Sequence, residues 1–172
     1  GAQMNVYQNS VNTFSSLGNV YGIFVNGGTL VNIYQHQNNP SVSANNYSIY
    51  GLVSSGANTF STALRIAGGT TSNVYSNNIY NISNLFSGTF TGLVEGISLT
   101  AGTTNTVYNN TIGKLTAPNA SSLDAIRGID VYLATASMTN KIYFNSVYLD
   151  AVSIGTNFGT SAVYQVSSAT AT

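Results

Sequence analysis

One block recurs five times along the chain, each copy anchored on a tyrosine that follows a β-branched residue: Val6-Tyr7, Ile33-Tyr34, Val74-Tyr75, Val107-Tyr108 and Ile142-Tyr143. The tyrosines are separated by 27, 41, 33 and 35 residues. Two residues after them stand Asn9, His36, Asn77, Asn110 and Asn145; four after them stand Val11, Asn38, Ile79, Ile112 and Val147. Self-similarity at a period of about 20–50 residues means stacked repeats, each burying its apolar face only against its neighbours.

A second block precedes the first by about ten residues. It reads "YGIFVNGGT" from Tyr21, "TALRIAGGT" from Thr62 and "EGISLTAGT" from Glu95, with an enlarged version, "RGIDVYLATASMT", from Arg127. Within it, apolar residues such as Ile23, Leu64, Ile97 and Ile129 alternate with Phe24, Arg65, Ser98 and Asp130. A period of two predicts a strand with one buried and one exposed face. The Gly-Gly-Thr or Ala-Gly-Thr that follows supplies a residue free to take positive φ.

Each repeat therefore reads strand, tight turn, strand, bend at Asn, short strand and variable loop. No segment shows a helical period. Three short strands per repeat, stacked on equivalent strands of the next, predict an all-β parallel β-helix of about five coils over residues 1–172. A β-sandwich is the second candidate fold, but it gives no reason for the same residue types to return at the same place.

At the spacing of neighbouring strands, about 4.8 Å, an asparagine amide can donate to the carbonyl of the next one and also satisfy backbone groups at the bend. Asn9, Asn77, Asn110 and Asn145 are expected to form such a ladder, with His36 substituting in the second repeat. Tyr7, Tyr34, Tyr75, Tyr108 and Tyr143 are expected to point outward as a stacked column. The strand-turn-strand-Asn-strand pattern resembles the right-handed parallel β-helix of the pectate-lyase-like superfamily, whose members often carry an Asn ladder at this bend. More closely, "DAIRGI" and "TNKIYFNSVYLDAVSIGTNFGTSAVY" are similar to repeat regions of large secreted surface proteins of Bacteroidetes. That resemblance implies export by the type IX secretion route and an extracellular or cell-surface location.

Composition narrows the function. Only 5% of residues are charged, against about 25% in ordinary soluble domains. Four basic residues cannot form the stripe that nucleic acid requires. No apolar run reaches the roughly 20 residues of a membrane span, and the start of the chain has no signal-peptide pattern. The absence of cysteine removes thiol chemistry and Cys-ligated zinc. No cofactor and no metal are expected.

The few charges gather on the first strand of the repeat. Pectinolytic relatives, which the resemblance brings in, cut acidic polysaccharides on that strand's outer face. Glu95, Arg127 and Asp130 are the residues that could carry such chemistry, by paired carboxylates or by elimination. The simpler expectation is a surface ion pair between Glu95 and Arg127 in adjacent coils. Surface glycans are candidate partners through the exposed tyrosines. The other expected partner is a further coil, in the same polypeptide or in a second copy stacked end to end, because open strand edges pair unless blocked. The expected role is a non-catalytic structural or adhesive segment of a secreted bacterial surface protein or extracellular filament. A carbohydrate-binding or polysaccharide-cleaving β-helix is the alternative.

Overall fold

The computed structural model describes residues 1–35, 48–89, 91–132 and 138–166. Among them lie fifteen strands and no helix. The first coil comprises β1 (Gln3–Tyr7), β2 (Val11–Ser16) and β3 (Val20–Asn26). The second comprises β4 (Leu30–Tyr34), β5 (Ile49–Ser54) and β6 (Ser61–Gly68). The third comprises β7 (Thr71–Tyr75), β8 (Asn78–Asn84) and β9 (Val94–Leu99). The fourth comprises β10 (Thr104–Tyr108), β11 (Thr111–Thr116) and β12 (Ile126–Val131). The fifth comprises β13 (Thr139–Tyr143), β14 (Ser146–Tyr148) and β15 (Thr160–Gln165).

Equivalent strands pair in parallel to build three five-stranded sheets: sheet A (β1-β4-β7-β10-β13), sheet B (β2-β5-β8-β11-β14) and sheet C (β3-β6-β9-β12-β15). Every described pairing is parallel, which sets the antiparallel sandwich aside. The fold is a parallel β-helix of five coils. Its core is made of aliphatic columns, among them Ile33, Val74 and Val107 from sheet A, Ile49, Ile79 and Ile112 from sheet B, and Leu64, Ile97 and Ile129 from sheet C.

Three recurring backbone devices turn the chain. Gly28, Gly69 and Gly102 take φ near 100° between sheets C and A, at the turn that the Gly-Thr motif predicts. At the corner between sheets A and B, the left-handed residue is the one directly after the tyrosine: Gln8, Ser76, Asn109 and Phe144. A third column, Thr13, Gly51, Asn81 and Lys114, has positive φ in the middle of sheet B. It breaks the alternation, so the inward residues fall three apart, as in Ile79 and Ile82 or Ile112 and Leu115.

Two expectations are corrected here. The aliphatic position of the second coil in sheet B is Ile49, which pairs with Val11 and Ile79, and not Asn38. The extra chain between Tyr34 and Ile49 enters at a corner, where it leaves strand register intact. His36, Asn38 and most of the segment between Gln35 and Tyr50 lie outside the described residues. Second, the outer face of sheet C is not exposed in the third and fourth coils: Glu95, Ser98, Arg127 and Asp130 are all buried.

Candidate functional site

Two outer faces of the β-helix carry the residues singled out by sequence, and they are built differently. On sheet A the five tyrosines stand in register and stack ring on ring. Ring centroids are 5.5, 4.7, 4.9 and 5.3 Å apart from Tyr7 to Tyr143, with planes within 11° of parallel. Burial, then the neighbouring phenols, hold Tyr75 above its ordinary pKa of 10.0, and Tyr108 is raised in the same way by burial and Tyr143. The ring faces of Tyr34, Tyr75 and Tyr108 are covered by one another. A sugar needs a free face to stack on, and these three offer only their edges.

Behind the column, at the A–B corner, Asn77 Nδ2 donates to Asn110 Oδ1 at 3.0 Å and Asn110 Nδ2 to Asn145 Oδ1 at 2.9 Å. The backbone N–H groups of Asn77 and Asn110 donate to the same oxygens. Each amide also spans its left-handed corner: Asn9, Asn77, Asn110 and Asn145 donate to the carbonyls of Tyr7, Tyr75, Tyr108 and Tyr143 at 3.0–3.1 Å. The strain of a non-glycine left-handed residue, roughly 1–2 kcal/mol, is thereby offset in each coil. Asn9, in the first coil, is exposed.

Two further amide chains escaped the sequence reading. On the outer surface, Asn32 Nδ2 donates to Asn5 Oδ1 and Asn73 Nδ2 to Asn32 Oδ1, both at 2.8 Å. On the inner side, Ser72 donates to Asn105, whose Nδ2 donates to Asn140 Oδ1 at 2.9 Å. The signal was present: asparagine stands two before Tyr7, Tyr34 and Tyr75.

Sheet C is mixed from coil to coil. One column reads Tyr21, Thr62, Glu95, Arg127, Ser161 and another Phe24, Arg65, Ser98, Asp130, Tyr164. The two columns lie three residues apart within each strand, because a small residue between them turns inward. At Gly96 an added Cβ would meet Gly128 O at 2.5 Å and Ile112 Cγ2 at 2.7 Å.

The structure brings Glu95, Arg127 and Asp130 together, but not as a surface pair of Glu95 with Arg127. The ion pair joins Arg127 Nη1 to Asp130 Oδ1 at 3.1 Å within one strand, with Asp130 fully buried and Arg127 7% exposed. Arg127 Nε also donates to the Asp124 carbonyl, and its guanidinium lies 3.6 Å from the centre of the Tyr164 ring, which covers it. Glu95 accepts from Thr62 Oγ1 at 2.5 Å. Burial pushes its carboxyl from an ordinary 4.5 to about 8; the Asp130 carboxylate within hydrogen-bonding reach adds to the rise, while Thr62 and Arg127 oppose it. This environment favours the protonated form of Glu95.

These side chains floor a groove of about 570 Å³. Its walls include Tyr21, Phe60, Leu123 and Tyr132, which the sequence gave no reason to group. Arg65 donates to the Tyr21 hydroxyl at 3.2 Å. Among the described residues no group of three or more His, Cys, Asp or Glu is placed to hold a metal ion.

The fold and these two faces define the class: a parallel β-helix with a self-matching face and a grooved face. No protein-family model matches the chain, and neither the curated proteins nor the solved structures give a significant match.

Proposed function

We propose that the chain is a structural and adhesive segment of a large secreted bacterial surface protein, built on the right-handed β-helix of the pectate-lyase-like superfamily and exported by the type IX route. The observation that carries this reading is sheet A, where side chains are invested in matching the coil above and the coil below. The terminal coils offer the same pattern to a further coil. Tyr7, Phe14 and Phe24 are half-exposed on the first, and Phe144 and Val163 are exposed on the fifth. Spacing and filament formation follow from such edges.

Two measurements test the reading. Electron microscopy of the concentrated chain should show end-to-end fibres, and dispersed monomers would count against self-stacking. Incubation with a panel of acidic polysaccharides should release no product. Release that disappears in Glu95→Gln or Asp130→Asn would replace the structural reading with an enzymatic one.

A further inference from the structure

The chain has no cysteine, so no disulfide can join one coil to the next. Tyrosine is the other side chain that readily bonds to its own kind on oxidation, through the ring carbons ortho to the hydroxyl. On sheet A the strand register sets one tyrosine beside the next in every coil. From Tyr34 to Tyr143 the ring centres are 4.7, 4.9 and 5.3 Å apart and the planes within 10° of parallel. Stacking covers the ring faces but not the edges, and the edges carry both the hydroxyl and the ortho carbons. At the two ends of the column Tyr7 is 50% and Tyr143 42% exposed.

We propose that the tyrosine column is a site of oxidative cross-linking, at which hydrogen peroxide and a haem peroxidase join neighbouring tyrosines by carbon–carbon bonds. Each phenol gives up one electron and its hydroxyl proton. The two phenoxyl radicals then pair through one ortho carbon each, and the hydrogen on each of those carbons moves to the phenolic oxygen beside it. Two tyrosines and one hydrogen peroxide thus yield one biaryl and two waters. Rotation about Cβ–Cγ turns stacked rings edge to edge while the strands stay paired, and the fixed register makes the coupling step effectively unimolecular. A bond from Tyr108 to Tyr143 ties together points 35 residues apart in the chain. It removes conformations from the unfolded state as a disulfide does, in a chain that cannot make one. This reaction needs only the stack within one molecule, so it stands apart from end-to-end assembly.

The test treats the whole chain, at low concentration, with hydrogen peroxide and a haem peroxidase, then unfolds it in urea and cuts it with trypsin. Cleavage after Arg65, Lys114, Arg127 and Lys141 places Tyr108 in fragment 66–114 and Tyr143 in fragment 142–172. Mass spectrometry should find these two fragments joined, lighter than their sum by two hydrogen atoms, in protein that still runs as a monomer before digestion. Tyr50 and Tyr80 also face each other across neighbouring strands, of sheet B, so a link between fragments 1–65 and 66–114 would not by itself report on the column. The Tyr108–Tyr143 link is the diagnostic one. Tyr108→Phe keeps the stack and lacks the hydroxyl, so it should melt like the native chain and lose the joined pair. Tyr143→Phe, at a more exposed position, should lose it too. Oxidation that joins no fragments would overturn the proposal. So would joined fragments that persist in both variants, or cross-links that form only between chains.

Discussion

Sheet A and sheet C share one backbone plan, yet their outer faces solve the problem of polar groups in opposite ways. On sheet A the same residue type recurs in successive coils, so each amide or ring finds its partner one strand spacing away. Asn32 sits between Asn5 and Asn73 as Tyr75 sits between Tyr34 and Tyr108. On sheet C the type changes at each coil, so partners are found case by case, across strands for Thr62 with Glu95 and Arg65 with Tyr21, or within one strand. Arg127 reaches Asp130 three residues on in its own strand, and the Glu95 carboxyl of the neighbouring strand lies within hydrogen-bonding reach of the Asp130 carboxylate. Repetition satisfies itself, and departure from repetition must be satisfied pair by pair.

The widest test of this contrast is pH. The Glu95 carboxyl titrates near 8 in the folded chain against 4.5 ordinarily, so the folded state holds a proton that the unfolded state has released between those values. The contribution of Glu95 to stability is therefore full below about pH 4.5 and is lost as pH rises through about 8, an effect of several kcal/mol. Urea melts across this interval should show the slope in the native chain and lose it in Glu95→Gln. Sheet A, whose perturbed groups Tyr75 and Tyr108 titrate higher still, contributes nothing in this window.

Next in size is the buried ion pair. Arg127→Met leaves the Asp130 carboxylate buried without its cation and should cost about 4 kcal/mol. Adding Asp130→Leu should recover most of that loss, because an apolar pair needs no partner. A double variant no more stable than the single one would show that the pair is more than a local compensation.

The corresponding break in sheet A is Asn110→Ala. It removes the acceptor of Asn77 and the donor to Asn145, Val74 and Tyr108, all in a buried corner, and should cost about 3 kcal/mol. Asn9→Ala, which among the described residues loses one exposed bond to Tyr7, should cost less than about 0.5 kcal/mol. Denaturant titration of the two variants measures the difference between a ladder with neighbours and a single amide brace.

These differences follow how far each face could be read from sequence. The tyrosine register was legible because counting from one anchor works wherever strands and corners keep their lengths. It failed between Tyr34 and Ile49, where a corner took extra chain; "SIYGLV" from Ser48 and "NIYNIS" from Asn78 carried the true match. The groove was not legible, since a period of two says which residues share a face but not what covers it. Burial of Arg127 comes from Tyr164 in the next coil, and the wall at Leu123 comes from the chain linking sheets B and C. No local pattern encodes either one.

The smallest effect separates the faces most directly. Tyr75→Ala loses stacking on Tyr34 and Tyr108 and should cost about 1–2 kcal/mol, while Tyr7→Ala, with one neighbour at 5.5 Å, should cost about half as much. Tyr75→Phe keeps both stacks and should cost less than about 0.5 kcal/mol. Tyr132 is 56% exposed at the groove wall, outside the stacked column, and Tyr132→Ala should change unfolding by less than about 0.5 kcal/mol. Urea melts that gave Tyr132→Ala and Tyr75→Ala the same cost would remove the contrast between a matching face and a mixed one.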